Sequence, residues 1–241
     1  MSVATEKTVG QLAVENPAAA RVFESLGIDY CCGGGQTLEQ ACRAAHASIE
    51  EVEDALGAAS QPHLAAGQGR NWQTEPLSEL IAHIEGTHHV YTRAEITHLA
   101  LLFDKVCAAH GRNHPELLRL RVIFSGLAEE LATHLMKEEK VLFPYIVRLE
   151  EAAIAKEPAP FPPFGSVRTP VAMMVNEHDG AGEALRRMRQ LSEAYTAPAD
   201  ACTSFRTLYG ALEALEADLH QHIHLENNLL FPRAIELEQG L

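Results

Sequence analysis

The sequence predicts an all-α protein, an antiparallel four-helix bundle preceded by a small helical domain. Three observations carry this. From Pro76 onward, apolar residues recur at helical spacing in four long stretches separated by glycine or proline. Before them, residues 1–60 carry a series of helix start signals. One block also occurs twice, as HLMKEEKVLFP from His134 to Pro144 and as HIHLENNLLFP from His222 to Pro232, 88 residues apart.

The first domain, residues 1–60, contains three capping-box patterns: Thr8 with Gln11, Thr37 with Gln40, and Ser48 with Glu51. A fourth start is Asn16-Pro17, and that helix is expected to stop at Gly27 in a left-handed conformation. Residues 61–75 have glycine and proline without an apolar period and read as a linker. The bundle, residues 76–241, opens with Pro76, Leu77, Leu80, Ile81 and Ile84 on a helix ending near Gly111. A second helix runs from His114-Pro115 to about Ala153, then a loop with four prolines follows. The third helix begins at Thr169-Pro170 and ends before Pro198, and the fourth reaches about Gln239. Pro144 and Pro232 lie inside helices, where each removes a backbone hydrogen bond and is expected to kink the chain.

Composition narrows the function. A net charge of −14 argues against nucleic acid and anionic membranes as partners. The start MSVATEKTVG lacks the basic and apolar regions of a signal peptide, and no apolar run is long enough to span a membrane. Five cysteines without a disulfide-framework spacing fit a reducing compartment, so a cytoplasmic location is expected.

Thirteen histidines direct attention to metal chemistry. A histidine and a glutamate four apart on a helix point the same way, roughly 6 Å from each other. One such pair is weak evidence, since acids are common at that offset by composition alone. Here the pair recurs, as His134 with Glu138 and His222 with Glu226, and each half adds a histidine in its first helix, His83 and His178. The expected metal ligands are therefore His83, His134, Glu138, His178, His222 and Glu226. Four imidazoles and two carboxylates suit iron, manganese or zinc better than magnesium or calcium. The repeat selects Glu138 over Glu139, because position 139 corresponds to Asn227. At uniform helical phase His88 and His89 lie well over 100° from His83, and His220 and His224 lie opposite His222. These four are read as surface or supporting groups. If both carboxylates bridge two six-coordinate metals along with one oxo or hydroxo, each metal keeps one position for a small ligand.

The segment DYCCGGGQT holds the candidate catalytic residues, Cys31 and Cys32. Gly33, Gly34 and Gly35 remove side-chain cover and permit positive φ. Exposed thiols near a helix N-terminus can be acidic, although Asp29 opposes that. The pair could ligate metal, form a disulfide or accept electrons. Cys42 and Cys107 read as packing residues and Cys202 as partly exposed.

Taken together, DYCCGG, the linker, and a bundle carrying HxxxExxxLFP, NEHD and HxxLENNxLFP resemble the repair-of-iron-centres proteins, bacterial di-iron proteins with a hemerythrin-like bundle. The resemblance covers nearly the whole chain in the same motif order. It implies two iron ions in a non-haem centre with oxo and carboxylate bridges, held by the six ligands above, and a cysteine pair at Cys31 and Cys32. It also implies a stress-response role in restoring iron–sulfur clusters damaged by nitric oxide or peroxide. Three mechanisms stay open: supply of iron to a damaged cluster, reduction of nitric oxide at the diferrous centre, and binding or sensing of oxygen or nitric oxide. The expected partners are damaged iron–sulfur proteins and nitric oxide or oxygen as small ligands, with a homodimer left open.

Overall fold

The computed structural model describes residues 7–59 and 70–241. The expected linker, 61–75, thus lies outside the described residues as far as position 69. Among the described residues the regular structure is helical, apart from one isolated antiparallel bridge between Thr8 and Thr37.

Four short helices come first: α1 (Val9–Glu15), α2 (Pro17–Ser25), α3 (Leu38–Ala45) and α4 (Ile49–Ala59). Their starts follow the local code. The Thr8 hydroxyl accepts from the Gln11 N–H while the Gln11 side chain accepts from the Thr8 N–H, and Thr37 and Gln40 do the same. The Asn16 side chain accepts from the Ala18 N–H to open α2. Gly27 follows that helix with φ +66°, the expected left-handed end.

Four long helices follow. α5 comprises Leu77–His83, a π-helical segment Ile84–His89, and Val90–His110. α6 comprises Glu116–Lys137, a π-helical segment Glu138–Leu142, and Phe143–Ala155. α7 is Arg168–Leu191, and α8 comprises Thr203–Leu225, a π-helical segment Glu226–Leu230, and Phe231–Gly240. Pro144 and Pro232, the positions of the expected kinks, each follow a π segment. A proline cannot donate to the carbonyl four residues back, and the turn before it widens instead. The Phe143 N–H donates to Glu138 O and the Phe231 N–H to Glu226 O, in each case five residues back.

The chain forms two compact units; α5, α6 and α8 each contribute residues to both, and α7 lies wholly in one. One contains residues 82–146 and 161–219. It is the four-helix bundle, with one apolar core drawn from all four long helices: Leu99, Phe103, Phe124, Leu185, Phe205 and Leu212 are among its buried residues. Within it α6 packs against both α5 and α7.

The other unit gathers the first domain with residues 147–160 and 220–241. Val9, Phe23, Ile28, Tyr30, Leu38 and Val52 form the heart of the first domain's core. The π segment of α8 packs against α1. Glu150 caps α5 from a distance, its two oxygens accepting from the Leu77 and Ser78 N–H groups at 2.6 and 3.0 Å, where a helix N-terminus favours negative charge. Arg233 donates to Trp72 O and Glu75 O, both at 2.7 Å, and Gln73 donates to Val14 O at 2.8 Å. These bonds strap the end of the linker to α8 and α1. Among the described residues no helix is long and apolar enough to cross a membrane.

Two stability outcomes follow from this packing. Phe205→Ala, at a fully buried ring, should cost about 3–5 kcal/mol in urea unfolding, whereas Leu101→Ala, at a residue 67% exposed, should change stability by no more than about 0.5 kcal/mol. At the bundle's loop end, His114 hydrogen-bonds Asp200 and Glu116, which together outweigh its desolvation and raise its pKa. A raised folded pKa means the contribution is complete below the unfolded value of about 6.5 and is lost as pH rises through the folded one. The stability difference between wild type and His114→Gln should therefore shrink as urea midpoints are taken to higher pH, and a constant difference would contradict the assignment.

Candidate metal centre

Glu138 is the first residue of the π segment in α6 and is 0% exposed. Three imidazoles of the bundle surround it. His134, one turn earlier, brings Nε2 to 3.3 Å from Glu138 Oε1. His89, on α5, brings Nε2 to 3.5 Å from Glu138 Oε2. His178, on α7, has its Nε2 3.0 Å from the Nε2 of His134. His134, Glu138 and His178 each offer a ligand atom within 4.8 Å of the others, and all three are buried.

The outward nitrogens of two of these rings are fixed by carboxylates. His134 Nδ1 donates to Glu177 Oε2 at 2.9 Å, and Glu177 is also bonded by Lys137. His89 Nδ1 donates to Glu139 Oε1 at 2.8 Å, and Arg93 donates to the same oxygen at 2.7 Å. Burial raises both carboxyl pKa values, but the hydrogen bonds from Lys137 and His134 hold Glu177 below its ordinary value, and those from His89 and Arg93 do the same for Glu139. Each is thus an ionised acceptor that takes a hydrogen bond from Nδ1 of its ring, which leaves Nε2 as the nitrogen that the neutral ring would offer to a metal. The Nε2 lone pairs then face the oxygens of Glu138. Such lone pairs repel a carboxylate unless a cation lies between them, so the donor set fits a metal ion, and imidazole with carboxylate suits iron, manganese or zinc.

In the other unit the repeated pair has the same local form. His222 Nε2 lies 3.0 Å from Glu226 Oε1, both side chains are buried, and Glu226 opens the π segment of α8 as Glu138 opens that of α6. The second half thus repeats the first in sequence, in the i,i+4 contact and in the π turn.

His83 departs from the expected set. It is half-buried, with Nδ1 3.3 Å from the Thr87 hydroxyl and its ring edge-on to His88, and among the described residues the buried donor groups include His89 and not His83. The reason is the π segment Ile84–His89. It is wound more widely than an α-helix, so the uniform phase that carried His89 away from the ligand face does not hold there. The sequence did contain a signal. His178 and His222 are 44 residues apart, His89 and His134 are 45 apart, and His83 and His134 are 51 apart. Glu139, Glu177, Lys137 and Arg93 were not foreseen as supports; Glu139, set aside as a ligand, holds His89 instead.

His88 and His224 are also buried rather than superficial. His88 Nδ1 lies 2.9 Å from Asp218 Oδ1. His224 lies under the ring of Tyr30, centroids 5.3 Å apart, and burial pushes its pKa down to about 4.

The cysteine pair belongs to the unit that holds His222 and Glu226. Cys31 is 4% exposed and Cys32 half-buried, with sulfurs 4.0 Å apart. Asp29 Oδ1 accepts from the N–H groups of Cys31, Cys32 and Gly33 at 3.2, 2.9 and 2.9 Å and lies 3.4 Å from the Cys31 sulfur. Cys31 is not an acidic thiol, in line with the opposing effect of Asp29. Its hydrogen bond with Cys32, its burial and the Asp29 carboxylate together push it well above the ordinary thiol range. Asp29, Cys31 and Cys32 form a further group whose ligand atoms lie within 4.8 Å of one another. The glycines also act differently from expectation. Among the described glycines only Gly27 and Gly165 have positive φ; Gly33 and Gly34 are needed for space, since a Cβ would come within 2.8 Å of Asp29 O and 2.6 Å of Asn228 Oδ1 respectively, while Gly35 faces nothing within 4 Å. Cys42 lies in the first domain's core, Cys107 is half-buried, and Cys202 is exposed with its sulfur 3.2 Å from His110 Nε2.

Comparison with known proteins agrees with this layout. Residues 5–60 match the ScdA N-terminal domain, a domain of unknown function (DUF542), and residues 80–234 match the hemerythrin HHE cation binding domain. The chain is 36% identical over 234 residues to the iron-sulfur cluster repair protein YtfE of Yersinia pseudotuberculosis serotype IB (strain PB1/+), covering 96% of this chain and 98% of that protein. It is similar to the same degree to the YtfE protein of Yersinia pestis (strain Pestoides F). The chain therefore belongs to the repair-of-iron-centres family, whose members join that N-terminal domain to a hemerythrin HHE cation-binding bundle.

Proposed function

We propose that this protein is a non-haem di-iron protein that restores damaged iron–sulfur clusters, with iron as the cargo it supplies. The observation that carries the reading is the pair of buried His-x-x-x-Glu turns, each opening a π segment, in a chain whose relatives are named for iron–sulfur cluster repair. In the bundle His89, His134, Glu138 and His178 would hold iron, and in the other unit His222 and Glu226 would supply the repeated pair of ligands. Bound iron would supply a redox-active Lewis acid able to take a small ligand such as nitric oxide or oxygen.

The chain's own residues divide the remaining work. Glu177 and Glu139 keep the Nδ1 protons of His134 and His89, so that Nε2 is available as a donor. Lys137 and Arg93 keep those carboxylates ionised from the outside. The π turns fix the main chain of Glu138 and Glu226. Cys31 and Cys32 offer soft sulfur donors in the unit that carries Glu226, which favours transfer of iron over simple gas binding.

Ligand identity can be read from bound iron. His89→Ala should lose iron, while His83→Ala should retain the wild-type amount; the reverse result would restore His83 to the set. Glu139→Ala, which leaves every proposed ligand in place, should weaken metal affinity about 10–100-fold. Repair itself is tested by mixing the purified iron-loaded protein with a cluster enzyme inactivated by nitric oxide. Changing both Cys31 and Cys32 to Ser should leave the iron bound and abolish reactivation. Undiminished reactivation by that variant would remove the thiols from the function, and no reactivation by wild type would remove the repair reading altogether.

A further inference from the structure

We propose that Asn228 is a positioning residue for the cysteine pair, clamping the Cys31–Cys32 loop onto the π turn that Glu226 opens so that Cys31 is closed and Cys32 is presented. The proposal deepens the function above and rests on the reading that the thiols handle iron.

Asn228 lies two residues after Glu226, within the same π segment. Its Nδ2 makes two bonds, to Tyr30 O at 3.1 Å and to His224 Nδ1 at 2.9 Å. A carboxamide nitrogen has two hydrogens, so both are used, one on the loop and one on its own helix. Its Oδ1 is wedged between two glycines. A Cβ at Gly10 would meet it at 2.5 Å and a Cβ at Gly34 at 2.6 Å. The Gly10 N–H donates to Gly34 O at 2.9 Å, which closes the contact from the third side.

The neighbouring Asn227 adds a long bond from Nδ2 to Cys31 O at 3.5 Å. The loop backbone is therefore held on both residues that precede Cys32. A side chain grips the main chain of the loop, and the loop has no side chains at the points of closest approach. This explains why Gly34 is a glycine without positive φ. It also separates the two thiols: the residue whose carbonyl faces α8 has the buried sulfur, and the next has the accessible one. An incoming metal therefore meets the more accessible Cys32 first, and the clamp sets the order in which the pair engages, Cys32 before Cys31.

The test is peptide-resolved mass spectrometry of iodoacetamide labelling, on the full chain, with and without iron. In wild type Cys32 should label well before Cys31. Asn228→Ala removes both donors and should speed Cys31 labelling by about fivefold, the loss expected of one ordinary hydrogen bond, with little change at Cys32. Asn228→Asp keeps the shape but not the donors and should behave like Ala, which packing alone would not produce. Gly34→Ala attacks the same contact from the loop, and combining it with Asn228→Ala should open Cys31 no further than either change alone. Wild-type labelling of Cys31 in Asn228→Ala, at an unchanged circular dichroism spectrum, would overturn the clamp, as would wild-type labelling in Asn228→Asp. The Asn228 variants decide the matter if Gly34→Ala does not fold. Because the labelling needs neither iron nor a client enzyme, failure of the repair reading would show in the reactivation assay and not here.

Discussion

Glu138 is a carboxylate taken wholly out of solvent and set among imidazole nitrogens. Removing a charge from water costs several kcal/mol even after relaxation, and the cost is met only by a counter-charge or strong hydrogen bonds. Much of the bundle's polar interior answers that demand. Glu177 and Glu139 orient His134 and His89, and Lys137 and Arg93 stabilise those acids from the protein surface. The arrangement runs inward as cation, carboxylate, imidazole and central carboxylate, twice over, and its inner nitrogens face the position a metal ion would take.

The π segments connect this chemistry to the chain. A proline six residues after each glutamate forbids the ordinary helical bond, and the backbone widens for one turn beginning at that glutamate. The same change that accommodates Pro144 and Pro232 therefore fixes where the carboxylates sit. A third π segment, in α5, ends at His89 and brings that ring beside Glu138. Backbone irregularity is concentrated at the proposed ligands, while the apolar core of Leu99, Phe103, Phe205 and Leu212 holds the regular parts of the helices in place.

The cysteine loop shows a different economy. Asp29 organises it locally by accepting three successive N–H groups, and the glycines let foreign atoms approach its backbone. With Tyr30 bonded to Glu24 and to Gln221 at 2.7 and 2.6 Å, and Arg233 holding the end of the linker, the first domain and the end of α8 form one packed unit. The thiols lie beside the helix that carries Glu226.

The helical class, the four short and four long helices, the capping boxes at Thr8 and Thr37, the left-handed Gly27 and the pairing of His134 with Glu138 and His222 with Glu226 were legible in the sequence. All of them depend on neighbours within a few residues or on a repeat that can be counted. That His89 and not His83 lies beside Glu138 depended on helix phase, and phase is not constant through a π turn whose position local patterns do not mark. The packing of the cysteine loop on Asn227 and Asn228, and the use of Gly10 and Gly34 as space for a carboxamide, join segments from opposite ends of the chain. Spacing and propensity describe bonds along the backbone; contacts of that kind exist only once the chain has folded, and the tertiary structure alone decided them.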